Sequence, residues 1–382
     1  MKLRTCLIAA SLVVGGSSSA FADALPFPAM NASLSANPNP YGVDLDWAGK
    51  WFVGAAVTGL VFDQDNPGSG AHSLVDLDNA QAWIEKTDGW WQVYVQAGIY
   101  TQPSLGFGYI RGSRATTMLY GDVPFAYLKI APTDNFSISA GKLPTLIGAE
   151  NAFTYQNLDI QRGLLWNQTP SVTQGVQLNY TAGPLSFALS VNDGYYSQTL
   201  NDLSGSVAYA FDGGADTVSV IAGTNLGHNP LTLPFATPLL NDGTIADLVY
   251  THASGPWTIS PSLQFVSAPR DPLHGALQGA SSIGAMLTAN YAFDDHWKLA
   301  ARAEYVNSTG SAAAGAMNLL IAGPGSKAWS ITVTPTYQYN VFFARLEGSY
   351  VGASDVTPGF GYGPSANDTT QASVFFETGV LF

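Results

Sequence analysis

Hydrophobic and polar residues alternate with a period of two along most of the chain. In the last ten residues, SVFFETGVLF, the apolar Val374, Phe376 and Val380 share one side of an extended strand, while Ser373 and Glu377 fall on the other. A membrane β-strand alternates in this way, with apolar side chains towards lipid and polar side chains towards a lumen. This segment therefore predicts a membrane strand, with the last strand of a soluble sandwich as the alternative.

The same alternation predicts sixteen strands, and hence an all-β protein. The predicted strands are Lys50–Phe62, Asn79–Lys86, Trp90–Tyr100, Val123–Ala131, Phe136–Lys142, Gln174–Thr181, Leu185–Asp193, Gly205–Phe211, Thr217–Thr224, Ile245–Ala253, Trp257–Phe265, Ser281–Phe293, Trp297–Val306, Ala328–Tyr339, Phe342–Val351 and Gln371–Phe382.

The connections between the predicted strands alternate between long and short. Thr87–Gly89 and Gly255–Pro256 are tight turns, whereas residues 101–122 and 143–173 are long loops. Outer-membrane barrels have short periplasmic turns and long extracellular loops. Both termini fall on the short-turn side, so the first and last strands can pair and satisfy the backbone groups that lipid cannot. We expect a closed antiparallel transmembrane β-barrel of about 16 strands.

The strand around Arg302 indicates which face meets lipid. Leu299 and Ala301 take one face, and Lys298, Arg302 and Glu304 take the other. A basic residue on the lipid face near mid-membrane costs roughly 2–4 kcal/mol, so the charged face must point inward. A barrel of this strand number is too wide to be filled by its own wall side chains. The polar face is therefore expected to line a water-filled interior.

Aromatic residues gather beside the short turns and predict one girdle at the periplasmic interface. Core aromatics of a sandwich are the alternative. These residues are Trp90, Trp91, Trp257, Tyr291, Phe293, Trp297, Tyr337 and Tyr339.

The amino terminus has the pattern of a secretory signal peptide. Lys2 and Arg4 precede the apolar run Cys6–Gly16, and Ala20–Ala22 forms an A-x-A cleavage site. Cys6 is the only cysteine, so the exported chain is expected to contain no disulfide. The predicted parts of the chain are a signal peptide (1–22), a short periplasmic segment (23–49) and the barrel (50–382).

The composition excludes several classes of function. The chain has 14 basic and 27 acidic residues, a net charge of −13, and nucleic-acid binding needs clustered Lys and Arg. We therefore expect no nucleic-acid partner. No Cys/His metal cluster, P-loop or GxSxG elbow occurs, so we expect no cofactor, no metal and no enzyme activity. His252, the only histidine well inside a predicted strand, has no partner pattern around it in the sequence.

The segment Gly141–Asn151, GKLPTLIGAEN, resembles the OmpL-like putative β-barrel porin family of bacterial outer membranes. In that family a G-K-x-x-T-x-x-G-x-E segment leaves a strand and begins a long loop, which here also carries Asn157–Leu165. Gln174–Val176 then begins the next strand in a similar manner. The resemblance implies a porin-type channel in the bacterial outer membrane and names no solute.

The third long loop, residues 143–173, is predicted to fold into the lumen because it is long and rich in apolar and aromatic residues. Its Glu150 and Asp159 would face wall cations such as Lys129 and Arg302 and create a transverse field across a constriction. The alternative is that these charges only pair with one another. The candidate lumen residues are Glu150, Asp159, Arg162, Lys129, Arg302, Glu304, Arg345 and Glu347.

The expected function is passive diffusion of small hydrophilic solutes and ions, with a modest preference for cations because acidic rings select them. A sugar-specific channel, with Tyr94, Tyr100, Tyr109 and Tyr127 as a stacking track, is the alternative. Expected partners are membrane lipids, the solutes and, through Phe382, the barrel-assembly machinery. A homotrimer is expected because sixteen-stranded porins are often trimers.

Overall fold

The structure is a computed structural model that describes residues 33–68, 70–227, 240, 242–272, 275–319 and 322–382. The strands are β1 (Tyr41–Asp44), β2 (Lys50–Gln64), β3 (Ser73–Lys86), β4 (Trp91–Tyr100), β5 (Phe125–Thr133), β6 (Phe136–Pro144), β7 (Val172–Ala182), β8 (Leu185–Asn192), β9 (Asp202–Phe211), β10 (Asp216–Asn225), β11 (Thr244–Ser254), β12 (Trp257–Ala268), β13 (Ala280–Ala292), β14 (Trp297–Ser308), β15 (Lys327–Tyr339), β16 (Phe342–Ser354) and β17 (Thr370–Leu381).

Helical structure in the described residues is short and none of it is long and apolar enough to cross a membrane. It comprises the α-helix α1 (Gly112–Met118) and single 3-10 turns at Asp46–Ala48, Thr154–Gln156, Trp166–Gln168, Asp212–Gly214 and Ala312–Ala314.

Sixteen strands, β2 to β17, close into a barrel in which each strand pairs antiparallel with its neighbours in sequence. Closure occurs between the last and the first of them, with Leu381 opposite Ala56 and Ser373 opposite Gln64. Every strand in the ring then has a paired strand on both sides, so the sheet has no open edge. The predicted fold class, a closed antiparallel barrel of sixteen strands, is confirmed.

The two faces of each strand differ as the alternation predicts. In β15, Thr332 and Thr334 are fully buried towards the lumen, whereas Trp329 and Ile331 are 43% and 52% exposed on the outside. The predicted girdle residues lie on the outer face beside the short turns, where Trp297 packs 4.9 Å from Tyr337 between ring centroids. The outer face of the barrel therefore carries exposed apolar side chains.

All sixteen predicted strands occur, and the largest difference is at the start of β3. That strand begins at Ser73 instead of Asn79. A β-bulge opposite Thr58 and Gly59 shifts the register, so that Asp78 and Asn79 are both buried although they are adjacent in sequence. The bulge breaks the period of two, and the alternation therefore indicated only the part of β3 beyond it.

The predicted periplasmic segment, residues 23–49, is described from residue 33, and its first described residues contact the barrel wall. Ser33 and Leu34 are 0% and 3% exposed, and Ser35 exchanges two hydrogen bonds with Gln338 of β15. β1 follows and pairs with β2 beyond the end of β17, and it is too short for its alternation to be recognised. The predicted signal peptide, 1–22, lies outside the described residues.

Candidate functional site in the lumen

The long loop between β6 and β7, residues 143–173 and here called L3, contacts opposite sides of the barrel. The backbone N–H of Gly148 donates to Asp247 of β11 at 3.0 Å. The hydroxyl of Tyr155 donates to Gln81 of β3 at 2.8 Å. Because β3 and β11 lie half a circumference apart in the strand order, L3 extends across the lumen.

Arg302 of β14 joins the wall to L3 through an ion-pair cluster. Its Nη1 lies 2.6 Å from Glu150 Oε1 and 3.5 Å from Asp159 Oδ2, both in L3, and its Nε lies 3.5 Å from Glu304 Oε2. Nη1 also donates to the carbonyl of Gln161 at 2.9 Å. The side chain of Arg302 is fully buried, so its charge is neutralised by direct contact and is not displayed across an open gap.

Two wall carboxylates accept hydrogen bonds from the backbone of L3. Glu304 accepts from the N–H groups of Leu164 at 2.9 Å and Leu165 at 3.1 Å, and Glu347 accepts from the N–H of Gln161 at 3.1 Å. The backbone N–H groups of a loop inside a barrel have no neighbouring strand as a hydrogen-bond partner. These charge-assisted hydrogen bonds to wall carboxylates take the place of the bonds between strands. The predicted residues Glu304 and Glu347 therefore hold the loop in place.

A second buried cluster surrounds Arg345 of β16. Its guanidinium forms an ion pair with Glu377 of β17, both side chains being fully buried, and donates to the carbonyl of Asn157 at 3.0 Å. Thr154 of L3 donates to Glu377 at 2.5 Å and to Asp78 at 3.3 Å. Glu377 is not among the predicted site residues, although its position on the polar side of the last strand indicated that it faces the lumen.

Arg162 is a structural residue of L3 itself. It is fully buried and donates to the carbonyls of Ile160 at 2.8 Å and Ala152 at 3.0 Å. These bonds close the loop on itself, and the guanidinium also lies 5.8 Å from the ring centroid of Trp166.

Lys129 of β5 does not join either cluster. Its side chain is partly exposed on the lumen face, between Gln92 of β4 and Ser139 of β6 in the strand register. The eight candidate residues thus separate into seven that hold L3 and one, Lys129, that remains apart from it.

The other side of L3 packs against β3, β4 and β5 through a cluster of aromatic side chains. Phe153 packs edge-on against Tyr100 at 5.2 Å and Phe125 at 5.5 Å between ring centroids, and Tyr155 stacks on Trp83 at 6.4 Å. All five side chains are buried. The apolar character of L3 is therefore explained by packing inside the barrel.

The four tyrosines of the predicted stacking track are mostly covered. Tyr94, Tyr100 and Tyr109 are 2%, 0% and 7% exposed, whereas Tyr127 is partly exposed and stacks on Tyr94 at 5.5 Å. Three of the four rings are therefore used in packing, and they do not form a continuous open surface.

Small gaps remain between L3 and the barrel wall. Two cavities of about 10 Å³ each, with room for about one water molecule, flank its first part, one lined by Ile147 and Asp202 and the other by Glu150 and Asp247. Towards the periplasmic end, Gln177 and Asn179 of β7 are partly exposed on the lumen face. Water-accessible space thus remains beside the loop.

His252 has a partner that the sequence did not indicate. Its Nδ1 lies 2.7 Å from Asp216 Oδ1 on the neighbouring strand, and the hydroxyl of Tyr250 donates to the same carboxylate. The pairing between β10 and β11 brings these residues together, and period-two alternation contains no information about such register. Among the described residues, no hydroxyl group is hydrogen-bonded to the imidazole.

The closed sixteen-stranded barrel and its long inward loop define the class of outer-membrane porins. The chain belongs to the family described as Putative beta-barrel porin-2, OmpL-like, whose sequence pattern matches residues 52–382. This match confirms the resemblance carried by Gly141–Asn151. Among curated proteins, none matches the chain.

Solved structures with the same fold are porins and channels of other bacteria. An anion-selective porin from Comamonas acidovorans is similar with a TM-score of 0.61 and 11% identity, covering 87% of this chain and 99% of that chain. The outer membrane channel DcaP of Acinetobacter baumannii is similar with a TM-score of 0.59 and 12% identity, covering 87% of this chain and 97% of that chain. Salmonella typhi OmpF, in complex with daunomycin, is similar with a TM-score of 0.55 and 13% identity, covering 90% of this chain and 100% of that chain. The protein is an outer-membrane porin channel.

Proposed function

We propose that this porin passes small hydrophilic solutes and ions by passive diffusion, with L3 as the constriction of its channel. The observation that carries the proposal is the attachment of L3 to opposite walls, beside space that water can occupy. A loop held across the lumen at this depth limits the size of what passes, and polar walls favour hydrated solutes.

Six charged candidate residues act in this proposal by fixing the loop. Their two cations, Arg302 and Arg345, are buried in direct contact with carboxylates, so size exclusion by L3 determines which solutes pass more than a transverse field does. These residues are Glu150, Asp159, Arg302, Glu304, Arg345 and Glu347.

The sugar-specific alternative receives less support. A stacking track needs ring faces that a sugar can reach, and Tyr94, Tyr100 and Tyr109 are buried against their neighbours. Of the four tyrosines, only Tyr127 is partly exposed.

The proposed location is the outer membrane of a Gram-negative bacterium. Export by the signal peptide 1–22, recognition of Phe382 by the barrel-assembly machinery and assembly as a homotrimer complete the proposal. The membrane lipids contact the apolar outer face.

Liposome swelling tests the proposal. Vesicles that contain the refolded protein are placed in isotonic solutions of sugars of increasing size. We expect fast swelling with monosaccharides and a steep, smooth decline with solute size. Saturable uptake of one sugar, inhibited by that sugar alone, would support the specific channel instead, and no swelling with any solute would contradict both.

A further inference from the structure

Lys129 differs from the other basic residues of the described chain. Twelve of the 14 Lys and Arg residues lie within the described parts, and eleven of them have a hydrogen bond, an ion pair or a ring contact. These eleven residues are Lys50, Lys86, Arg111, Arg114, Lys142, Arg162, Arg270, Lys298, Arg302, Lys327 and Arg345. The Nζ of the twelfth, Lys129, has no such partner among the described residues.

The surroundings of Lys129 are polar and uncharged. Its register partners across the two neighbouring strands are Gln92 and Ser139. The same row continues through Gln177 of β7 and Ser190 of β8, all on the lumen face. The row therefore has amide and hydroxyl groups beside one ammonium group and contains no carboxylate. Nε2 of Gln177 donates one hydrogen bond to Asn179 at 2.7 Å and Nε2 of Gln92 donates one to the carbonyl of Gly89 at 3.4 Å, which leaves each amide a second N–H.

The partly exposed ring of Tyr127 lies two residues from Lys129 on the same face of β5. The ring of Tyr127 stacks on the ring of Tyr94, and this contact restricts the orientation of the Tyr127 side chain beside the ammonium group. A partly exposed lysine without an acidic partner keeps its charge available to a molecule in the channel.

We propose that Lys129, with Gln92, Ser139 and Gln177, forms a binding subsite for small anions on the channel wall, which rests on the proposed function as a diffusion channel. Chloride or a small carboxylate would replace part of its hydration shell with the ammonium group and the neighbouring donors. The subsite would then give the channel a preference for anions, in contrast to the cation preference that the acidic composition predicts.

The expected magnitude follows from Coulomb's law. A single unit charge about 4 Å from a passing ion in water changes its local concentration roughly fivefold. Arg302 and Arg345 are paired with carboxylates, and Arg162 and Lys298 donate to backbone carbonyls, so Lys129 is the one cation on the lumen face of the described residues without a partner. The effect falls with ionic strength because salt screens exposed charges.

The test is the reversal potential of single channels under a KCl gradient at low salt. Lys129→Gln removes the charge and keeps a polar side chain, and Lys129→Glu inverts the charge. Lys327→Gln is the matched control, because it makes the same change of net charge at an exposed pair on the outside of the barrel. We expect the chloride-to-potassium permeability ratio to fall roughly fivefold in Lys129→Gln, to invert in Lys129→Glu and to stay unchanged in Lys327→Gln.

Two results separate the subsite from the channel. If the unaltered protein conducts and Lys129→Gln leaves the permeability ratio unchanged, the anion subsite is wrong and the diffusion channel stands. If the unaltered protein, folded by circular dichroism, conducts no ions, the proposed function fails and the subsite fails with it. Equal changes in Lys129→Gln and Lys327→Gln would also overturn the subsite, since net charge alone would then explain them.

Discussion

At the scale of single residues, the lumen contains three fully buried arginines whose charges are balanced by direct contacts. Arg302 and Arg345 pair with carboxylates, and Arg162 donates to backbone carbonyls of its own loop. Removing one partner of a buried ion pair is costly because the remaining charge stays buried without compensation. The exposed pair between Lys327 and Asp355 has water as an alternative partner and should matter little.

This contrast predicts the effect of Arg345→Ala on stability. The substitution leaves Glu377 buried without its cation, and we expect the free energy of unfolding to fall by about 3–5 kcal/mol. Lys327→Ala, the control at side chains that are 42% and 58% exposed, should change it by less than about 1 kcal/mol. Denaturant unfolding of the refolded barrel in lipid vesicles measures both, and equal losses in the two variants would contradict the account of the buried cluster.

At the scale of elements, L3 is held by wall carboxylates that accept from its amides. Glu304 and Glu347 are on different strands, and each contacts a separate part of the loop. Hydrogen bonds to charged groups contribute about 1.5–3 kcal/mol each, so the two residues together should determine whether L3 keeps its place.

The double variant Glu304→Ala/Glu347→Ala tests this role. It leaves the N–H groups of Leu164 and Gln161 without their acceptors, and we expect larger single-channel conductance with more current noise as the loop loosens. Asp355→Ala, which removes an exposed carboxylate, is the control. An unchanged conductance in a folded double variant would show that L3 is retained by other contacts.

The strands and their faces could be predicted from sequence, whereas the contacts of L3 could not. Alternation is a local property, and it indicated all sixteen strands and the inward face of Arg302. The ion pair between Arg302 and Glu150 joins residues 152 positions apart, and no local pattern specifies it. Lys129 and Arg302 both lie on the polar face of their strands, so the alternation in sequence does not show that Arg302 is paired with carboxylates and that Lys129 is not.

At the scale of the whole molecule, the outer face of the barrel is not uniform. Exposed aromatic side chains of the described strands occur from β7 to β17, whereas the outer faces of β2 to β6 expose aliphatic residues such as Val57 and Leu128, and the rings of Trp51, Trp91 and Phe136 there are only partly exposed. Aromatic rings mark the interface between membrane and water, so their lower exposure on β2 to β6 indicates a surface that contacts protein. We expect the homotrimer to form through this face.

The variant Ala82→Trp tests the trimer face. Both Ala82 of β3 and Ala222 of β10 are exposed on the outer surface. A tryptophan at position 82 should prevent close approach of a second copy and yield monomers, whereas Ala222→Trp should leave the assembly unchanged. Light scattering in detergent gives the mass, and a trimer that tolerates Ala82→Trp would place the interface elsewhere.

The most direct measurement for the whole account is the single-channel conductance of the refolded protein in a planar bilayer. A closed barrel with water beside L3 predicts stepwise insertion events, each with a current that is proportional to voltage and salt concentration. Insertion of a folded barrel with no ionic current at any voltage would contradict it.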